Sequence, residues 1–375
     1  MARVVIFVLD SAGVGALPDA AAYGDVPGTN TLGNVASVIG GLRLPNFEAL
    51  GLGNVTTIRG VAPVESPRAA VARLAERSRG KDTITGHWEM AGIVTEVAFP
   101  TYPRGFPANI VEAFTAIVGL PPLGNVAASG TEIIAEAGEE HQRTGRPILY
   151  TSADSVFQVA AHEKTVDLAT LYRWCEEARE MLVPPDQVNR VIARPFVGCP
   201  GSYVRTANRR DYAVPPPNSA LDRLAGSGIP VHAVGKIGDI YSGRGIASSV
   251  RVGDNDEAIA RGLAILERLD HGLVFVNLND FDTKFGHRRN PRGYGEALER
   301  LDARLPDVLG ALRSADGVIF TADHGCDPTA PGSDHTREYV PYLEYGLGRR
   351  GDLGTIEGLD IVCRHAETAL LGLPV

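Results

Sequence analysis

The stretch Val4-Val5-Ile6-Phe7-Val8-Leu9-Asp10 decides the fold class, because a short apolar run ends directly at an acidic residue. Two further apolar runs, 273–278 and 317–321, are followed within four residues by Asp282 and Asp323. Short runs of this kind are typical of strands buried on both faces of a parallel sheet. Since ligands bind beyond the carboxyl ends of such strands, we expect these acids to meet at one edge of the sheet.

Helical patterns separate the predicted strands. Residues 254–257 combine a helix-capping aspartate with an acidic first turn. Apolar positions at helical spacing predict a longer helix from Tyr294 to Leu312, with a kink or a new helix at Pro306. This alternation of helix and strand predicts an α/β fold, in which helices sandwich a mainly parallel sheet.

Two proline-rich stretches, 99–107 and 214–218, divide the chain. Proline stiffens linkers and interrupts strand pairing, and the segment between the stretches has its own helix and strand patterns. We therefore predict a core formed by residues 1–98 and 218–375, with an inserted domain at 99–217. The alternative is that both stretches are surface loops of a single domain.

Composition excludes several classes of protein. The 375 residues carry a formal net charge of -9, which disfavours a nucleic-acid partner because phosphate backbones attract a basic surface. The longest apolar run near the N-terminus, Val4 to Leu9, is too short for a secretion signal or a membrane span. The four cysteines are scattered and form no CxxC pair. We expect a reduced, cytoplasmic protein without a membrane segment.

The acids and histidines at the predicted strand ends have the composition of a metal site. A pair of divalent ions that clamps a phosphoryl transfer needs about six protein ligands, and no cysteine is required. This composition favours Mn²⁺, Mg²⁺ or Zn²⁺. Six side chains supply that number: Asp10, Asp282, His287, Asp323, His324 and His335. Asp280 and Asp334 are neighbouring alternatives.

A candidate nucleophile lies between residues 80 and 92. This segment contains two hydroxyl side chains, Thr83 and Thr85, and an alcohol becomes a useful nucleophile when a metal activates it. Spacing alone does not choose between the two threonines, and it does not exclude an ordinary turn.

Taken together, these motifs resemble the phosphopentomutases, a family of the alkaline phosphatase superfamily. The likeness follows the chain in order through eight blocks: 10–15, 80–89, 150–156, 192–196, 235–241, 282–289, 321–325 and 334–338. The resemblance implies an alkaline phosphatase-like core in which the inserted α+β domain is a cap over the substrate.

The resemblance also implies an activity and a division of the ligands. Members of this family interconvert ribose 1-phosphate and ribose 5-phosphate, and the 2-deoxyribose counterparts, with two Mn²⁺ ions and a sugar bisphosphate as activator. Thr83 would be the nucleophile that carries the phosphoryl group. One metal would be bound by Asp10, Asp323, His324 and Thr83, and the other by Asp282, His287 and His335.

Substrate contacts are implied in the same way. Ser152 and Asp154 would face the active site from the cap, and Arg190, Arg205 and Lys236 would bind the remote phosphate. Guanidinium groups bind phosphate through paired donors, which suits this role.

Three rival functions share parts of this pattern. A metal-dependent phosphatase or phosphodiesterase would use water to release the phosphate. The metal-dependent phosphoglycerate mutases resemble the metal motifs but use a serine, and a non-catalytic metal-binding protein would have no use for Thr83.

Two features depart from the family or lie outside it. Cys326 stands where an asparagine is more usual. Residues 346–351 fit a GxGxxG pattern, but no clear helix follows a buried strand there, and we interpret the match as chance.

Overall fold

The computed structural model describes residues 1–152 and 155–373. Contacts divide the chain into two compact units, which we call the core unit (Met1–Ala98 with Pro216–Val375) and the inserted unit (Phe99–Pro215). The boundaries predicted from the proline-rich stretches lie at residues 98 and 217. Among the described residues, no helix is both long enough and apolar enough to span a membrane.

The core unit begins with two strands and four helices. They are β1 (Arg3–Leu9), α1 (Thr31–Ile39), α2 (Pro45–Leu50), α3 (Leu52–Val55), β2 (Ala70–Ala75) and α4 (Thr83–Met90). A short 3-10 turn covers Ala20–Tyr23.

The inserted unit follows with six strands and three helices. They are α5 (Ala108–Val118), β3 (Leu123–Ala127), α6 (Gly130–Thr144), β4 (Ile148–Thr151), β5 (Val156–His162), α7 (Leu168–Met181), β6 (Arg190–Val197), β7 (Val204–Arg205) and β8 (Arg210–Ala213).

The chain then returns to the core unit. Its elements are α8 (Ala220–Gly226), β9 (Val231–Val234), α9 (Ile237–Ile240), β10 (Ser248–Val250), α10 (Asn255–Arg268), β11 (Gly272–Leu278), α11 (Pro291–Gly310), β12 (Gly317–Thr321), β13 (Val340–Tyr345), β14 (Gly351–Glu357) and α12 (Ile361–Leu371). A π-helix covers Phe281–Gly286.

An eight-stranded sheet organises the core unit, in the order β10-β9-β11-β1-β12-β13-β2-β14. The five strands from β10 to β12 run parallel to one another, and β13 runs antiparallel to both of its neighbours, β12 and β2. Strands β1, β11 and β12 are buried along their whole length, as their continuous apolar runs predict. The α/β fold class with a mainly parallel sheet is confirmed.

The inserted unit has its own mixed sheet and its own apolar packing. The strand order is β3-β4-β5-β6-β7, with β8 also paired to β6. One apolar cluster includes Phe114 of α5 and Trp174 of α7, and a second includes Ile133 of α6 with Phe196 of β6. Each cluster combines side chains of helices with side chains of the sheet, which is the minimum that a separate hydrophobic core requires.

Pro306 does not interrupt α11, contrary to the expectation of a second helix. A proline at this position cannot donate to the carbonyl four residues earlier, which belongs to Asp302. The side-chain Nδ2 of Asn46 donates to that carbonyl instead, at 2.9 Å. The helix therefore continues through the proline because a side chain from α2 satisfies the orphaned acceptor.

A buried ion pair ties the start of β1 to the turn between α11 and β12. The Arg3 Nε donates to Asp316 Oδ2 at 2.8 Å, and the Arg3 backbone N–H donates to Asp316 Oδ1 at 2.9 Å. Both side chains are almost completely buried. Removing one partner of such a pair leaves an uncompensated charge inside the protein.

We therefore expect Asp316→Asn to lower the free energy of unfolding by about 3 kcal/mol, measured by urea denaturation. The matched control is Asp307→Asn, which breaks the exposed ion pair between Arg304 and Asp307 on the surface of α11. The control should change the free energy by less than about 1 kcal/mol. Equal effects of the two variants would contradict this account of the Arg3 pair.

Candidate metal centre and nucleophile

The register of three strands brings the predicted acids to one edge of the core sheet. Strand β1 lies between β11 and β12, with Leu9 opposite Leu278 and Val8 opposite Thr321. The carboxyl ends of the three strands are therefore aligned, and Asp10 lies directly beyond the end of β1. Asp323 follows β12, and Asp282 lies in the π-helix after β11. Such helices occur often at functional sites.

One cluster of candidate ligands surrounds His324. The His324 Nε2 lies 3.3 Å from Asp323 Oδ2, 3.6 Å from Asp10 Oδ1 and 3.1 Å from Thr83 Oγ1. These groups come from β12, β1 and the first turn of α4. Asp10, Asp323 and His324 are all buried, and their ligand atoms lie close enough together to bind one ion.

A second cluster surrounds Asp282. Its Oδ1 lies 3.3 Å from His287 Nε2 and 3.3 Å from His335 Nε2, and these two nitrogens are 3.2 Å apart. The ring of His335 also stacks on the ring of His324, with centroids 3.9 Å apart. The two clusters are therefore neighbours, and the six predicted ligands form one continuous group.

Backbone carbonyls fix the orientation of two of the histidines. The Nδ1 of His324 lies 3.0 Å from the Gly325 carbonyl, and the Nδ1 of His287 lies 2.7 Å from the Ser333 carbonyl. An Nδ1–H that donates to a carbonyl leaves Nε2 as the ligand atom, which is the usual arrangement around a bound metal. In both residues this Nε2 points to the carboxylates.

The donor set fits a divalent cation. Three buried carboxylate oxygens accept no hydrogen bond from the described residues: Asp10 Oδ1, Asp282 Oδ1 and Asp323 Oδ2. Buried polar atoms without a partner are costly and call for an explanation such as an ion. All three lie beside an imidazole nitrogen of the clusters, so oxygen and nitrogen ligands converge on the same spaces.

Electrostatics point the same way. Burial and the neighbouring Asp323 raise the pKa of Asp10 to about 6. Burial disfavours a charge on His324, but Asp323 and Asp10 outweigh it and raise the pKa of the imidazole to about 10. Asp10 and His324 therefore hold their protons more tightly than the free side chains do, and a bound cation would take the place of those protons.

Lys236 lies beside both clusters. Its Nζ is 3.3 Å from Asp10 Oδ2 and 3.9 Å from Asp282 Oδ2. Asn277 supports the same carboxylate of Asp10, since its Nδ2 donates to Oδ2 at 3.0 Å. Sequence reasoning gave no role to Asn277, although a polar residue inside the apolar run 273–278 was a usable signal.

The two threonines between which the spacing did not choose have different surroundings in the structure. Thr83 is half-buried at the first position of α4, and its hydroxyl contacts His324. Thr85 is fully buried, and its hydroxyl donates to Asp82 Oδ2 at 2.5 Å. Asp82 also caps α4 by accepting from two backbone N–H groups. Thr85 therefore completes the helix cap, and Thr83 is the threonine at the candidate metal cluster.

Arg337 supports the turn before Thr83, a role that the sequence did not reveal. The guanidinium is buried, and Nη1 donates to the carbonyls of Ser78 and Gly80 at 2.8 and 2.6 Å. The same group pairs with Glu76 at 2.6 Å. The bond between Arg337 and this turn links the block that carries His335 to the block that carries Thr83.

The alternative ligands have other partners. Asp280 forms an ion pair with Lys284, and Asp334 forms one with Lys81 at 2.9 Å. Cys326 lies 3.9 Å from His287 Nδ1, and burial together with the nearby Asp282 raises the pKa of its thiol. A protonated thiol is a poor metal ligand.

The predicted substrate contacts of the inserted unit are less closely grouped. Ser152 follows β4, whereas Asp154 lies outside the described residues. Arg190 begins β6, and Arg205 of β7 pairs with Phe196 near the other end of that strand. Six residues of strand separate the backbone positions of the two arginines, or about 20 Å.

The chain is similar to known proteins over most of its length. Residues 2–367 match the model of the metalloenzyme superfamily. A phosphopentomutase of Anaeromyxobacter sp. (strain K) is 58% identical over 356 residues, which are 94% of this chain and 91% of that protein. The phosphopentomutase of Alkaliphilus metalliredigens is 54% identical and covers 92% of this chain and 88% of its own.

Solved structures with lower sequence identity also align over nearly the whole chain. The PH0037 protein from Pyrococcus horikoshii has a TM-score of 0.49 and 16% identity, covering 98% of this chain and 97% of that one. A phosphoglycerate mutase of Leishmania mexicana has a TM-score of 0.47 and 15% identity, with coverage of 99% and 95%.

The identity to curated relatives over nine-tenths of the chain establishes the family that the motifs resembled. The protein belongs to the phosphopentomutase family of isomerases, within the metalloenzyme superfamily.

Proposed function

We propose that the protein is a phosphopentomutase that interconverts ribose 1-phosphate and ribose 5-phosphate, and their 2-deoxyribose counterparts, through a phosphothreonine at Thr83. The observation that carries the proposal is the 3.1 Å contact between the Thr83 hydroxyl and His324, inside the candidate metal cluster. A transferable phosphoryl group needs an oxygen at such a place, whereas a protein that only binds metal does not.

The ligands would divide between two Mn²⁺ ions, with Mg²⁺ or Zn²⁺ as alternatives of similar ligand preference. Asp10, Asp323, His324 and Thr83 would hold one ion, and Asp282, His287 and His335 the other. When bound, such ions supply positive charge that stabilises the oxygens of the transferring group and favours the deprotonated alcohol.

The chain itself prepares Thr83 to carry a negative group. The residue lies at the amino end of α4, where the helix dipole favours an anion. The ammonium group of Lys236 lies beside both carboxylates that flank the site, and it can move to a substrate phosphate as a point charge.

The proposed cycle has two mirror-image transfers. The free hydroxyl of a pentose monophosphate attacks the phosphorus on Thr83, so that a sugar O–P bond forms and the Thr83 O–P bond breaks. The product is a pentose bisphosphate, which turns within the site or leaves and rebinds. Its other phosphoryl group then returns to Thr83, and the isomeric monophosphate is released.

Residues of the inserted unit would recognise the sugar. We propose that residues 99–217 act as a cap, with Ser152 and Asp154 facing the sugar. Arg190, Arg205 and Lys236 are proposed to bind the remote phosphate. We place the reaction in the cytoplasm, where the four free cysteines would stay reduced.

Replacing Thr83 by alanine should remove turnover and phosphoryl incorporation together. We expect the rate of ribose 1-phosphate isomerisation to fall by about 10³-fold or more, because the oxygen that carries the group is gone. Intact-protein mass spectrometry after incubation with a sugar bisphosphate should show one added phosphate on the wild type and none on Thr83→Ala.

Two variants serve as controls for this experiment. Thr83→Ser keeps a hydroxyl at the same position and should keep measurable turnover, whereas Thr101→Ala removes an exposed hydroxyl and should behave as the wild type. Full activity of Thr83→Ala would refute the role of this residue. Release of free phosphate at the rate of substrate loss would instead identify a phosphatase.

A sugar bisphosphate should also prime the unphosphorylated enzyme. Protein treated with a phosphatase and then purified has no group to donate, so isomerisation should begin after a lag. Adding catalytic amounts of a pentose bisphosphate should abolish the lag, in a coupled assay for ribose 5-phosphate. A lag that persists after this addition would count against the bisphosphate cycle.

A further inference from the structure

A cavity of about 420 Å³ lies near the amino end of β12, whereas the candidate metal centre lies beyond the carboxyl end of that strand. The residues that line it include Arg313, Tyr345, Arg349 and Arg350, together with Asp316. Asp316 directly precedes β12, whose other end leads to Asp323. Six residues of extended chain separate the two sites, or about 20 Å, so the cavity is distinct from the metal centre.

The lining has an excess of positive charge. Arg313, Arg349 and Arg350 form no ion pair with any carboxylate among the residues that the structure describes. The carboxylate in the lining, Asp316, is already engaged, because Arg3 donates to both of its oxygens. Three arginines therefore line one cavity in a chain whose formal net charge is -9.

A glycine-rich loop forms one wall of this cavity. It is the segment 346–351, which carries the GxGxxG pattern. Gly346 and Gly348 both have a φ of 94°, which favours glycine. A Cβ at Gly346 would lie 2.3 Å from the carbonyl oxygen of Asp316, so the loop depends on glycine to approach β12.

The backbone of the loop adds donors to the charges. The N–H groups of residues 348–350 donate to no acceptor in the described part of the chain. Successive free N–H groups beside glycine turns form a concave surface that suits anions. The ring of Tyr345 completes the lining and also stacks with Arg68, at 5.5 Å from ring centroid to guanidinium carbon.

We propose that this cavity binds a small ligand that carries two phosphate groups. The volume falls within the range of about 300–1,000 Å³ that is usual for small-molecule sites. Guanidinium groups bind phosphate through paired donors. Two or three guanidinium groups supply more charge and more donors than a single phosphate group can use. A nucleoside diphosphate and a sugar bisphosphate share this chemistry. The site is independent of the phosphopentomutase activity proposed above.

The test is calorimetric titration of the metal-loaded enzyme with ADP and, separately, with fructose 1,6-bisphosphate. Each titration is run with and without saturating ribose 5-phosphate, which occupies the metal centre. We expect the wild type to bind at least one of the two ligands in the presence of ribose 5-phosphate. Tighter binding of ADP identifies a nucleotide site, and tighter binding of the sugar bisphosphate identifies a sugar-phosphate site.

Charge reversal of the loop should remove this binding. We expect the double variant Arg349→Glu/Arg350→Glu to bind about 100-fold more weakly, since two charge-assisted contacts are lost. Its isomerase turnover should equal that of the wild type, which also shows that the variant is folded. The matched control is Arg261→Glu/Arg268→Glu, which makes the same charge change on the exposed face of α10 and should bind normally.

Hydrogen exchange locates the bound ligand. Amides in peptides that cover residues 345–351 should exchange more slowly when the ligand is added to the wild type, and should not respond in the double variant. The proposal is overturned if neither ligand binds beyond the metal centre, or if the double variant binds as tightly as the wild type. The arginines would then only balance the negative end of the α11 dipole.

Discussion

The repulsion among buried carboxylates at one edge of the core sheet is the constraint on which the site depends. Asp10, Asp282 and Asp323 are each almost completely buried, and burial together with the two neighbouring carboxylates raises the pKa of Asp10. Two like charges about 4 Å apart repel by about 4 kcal/mol at an effective dielectric constant of 20. A fold that keeps these acids together must supply positive charge, and bound divalent cations supply it most compactly.

Hydrogen bonds from the segment that follows β12 hold the surrounding loops in place. Glu338 accepts hydrogen bonds from the backbone N–H groups of Gly15 and Thr31 and from the hydroxyl of Thr336. Arg337, next along the chain, binds the carbonyls before Thr83. One short segment after β12 therefore fixes both the turn after β1 and the turn before Thr83. The candidate metal ligands and Thr83 share this support.

Sequence patterns predicted the parts of the structure that depend on local chemistry. The apolar runs at 4–9, 273–278 and 317–321 form adjacent buried strands. The acids that follow these strands converge, because residues at the same ends of adjacent parallel strands lie close together. The six proposed ligands were identified in this way, without any knowledge of distances. The choice of Thr83 came from the family resemblance, and the contacts of the two threonines now give it a physical reason.

Features that depend on distant partners were not predictable. Pro306 is tolerated within α11 only because Asn46, 260 residues earlier, satisfies the Asp302 carbonyl. The roles of Arg337 and Asn277 arise from contacts between segments that are distant in the sequence. The sequence alone does not show that these segments lie next to one another. The distance between Arg190 and Arg205 likewise depends on the register of β6 and β7.

Anomalous diffraction at the manganese edge, from crystals grown with Mn²⁺, tests the central claim most directly. The account predicts two peaks about 4 Å apart. One should be bounded by Asp10, Asp323, His324 and Thr83, and the other by Asp282, His287 and His335. A single peak, or a pair of peaks bound by Asp280 or Asp334 in place of these side chains, would contradict it.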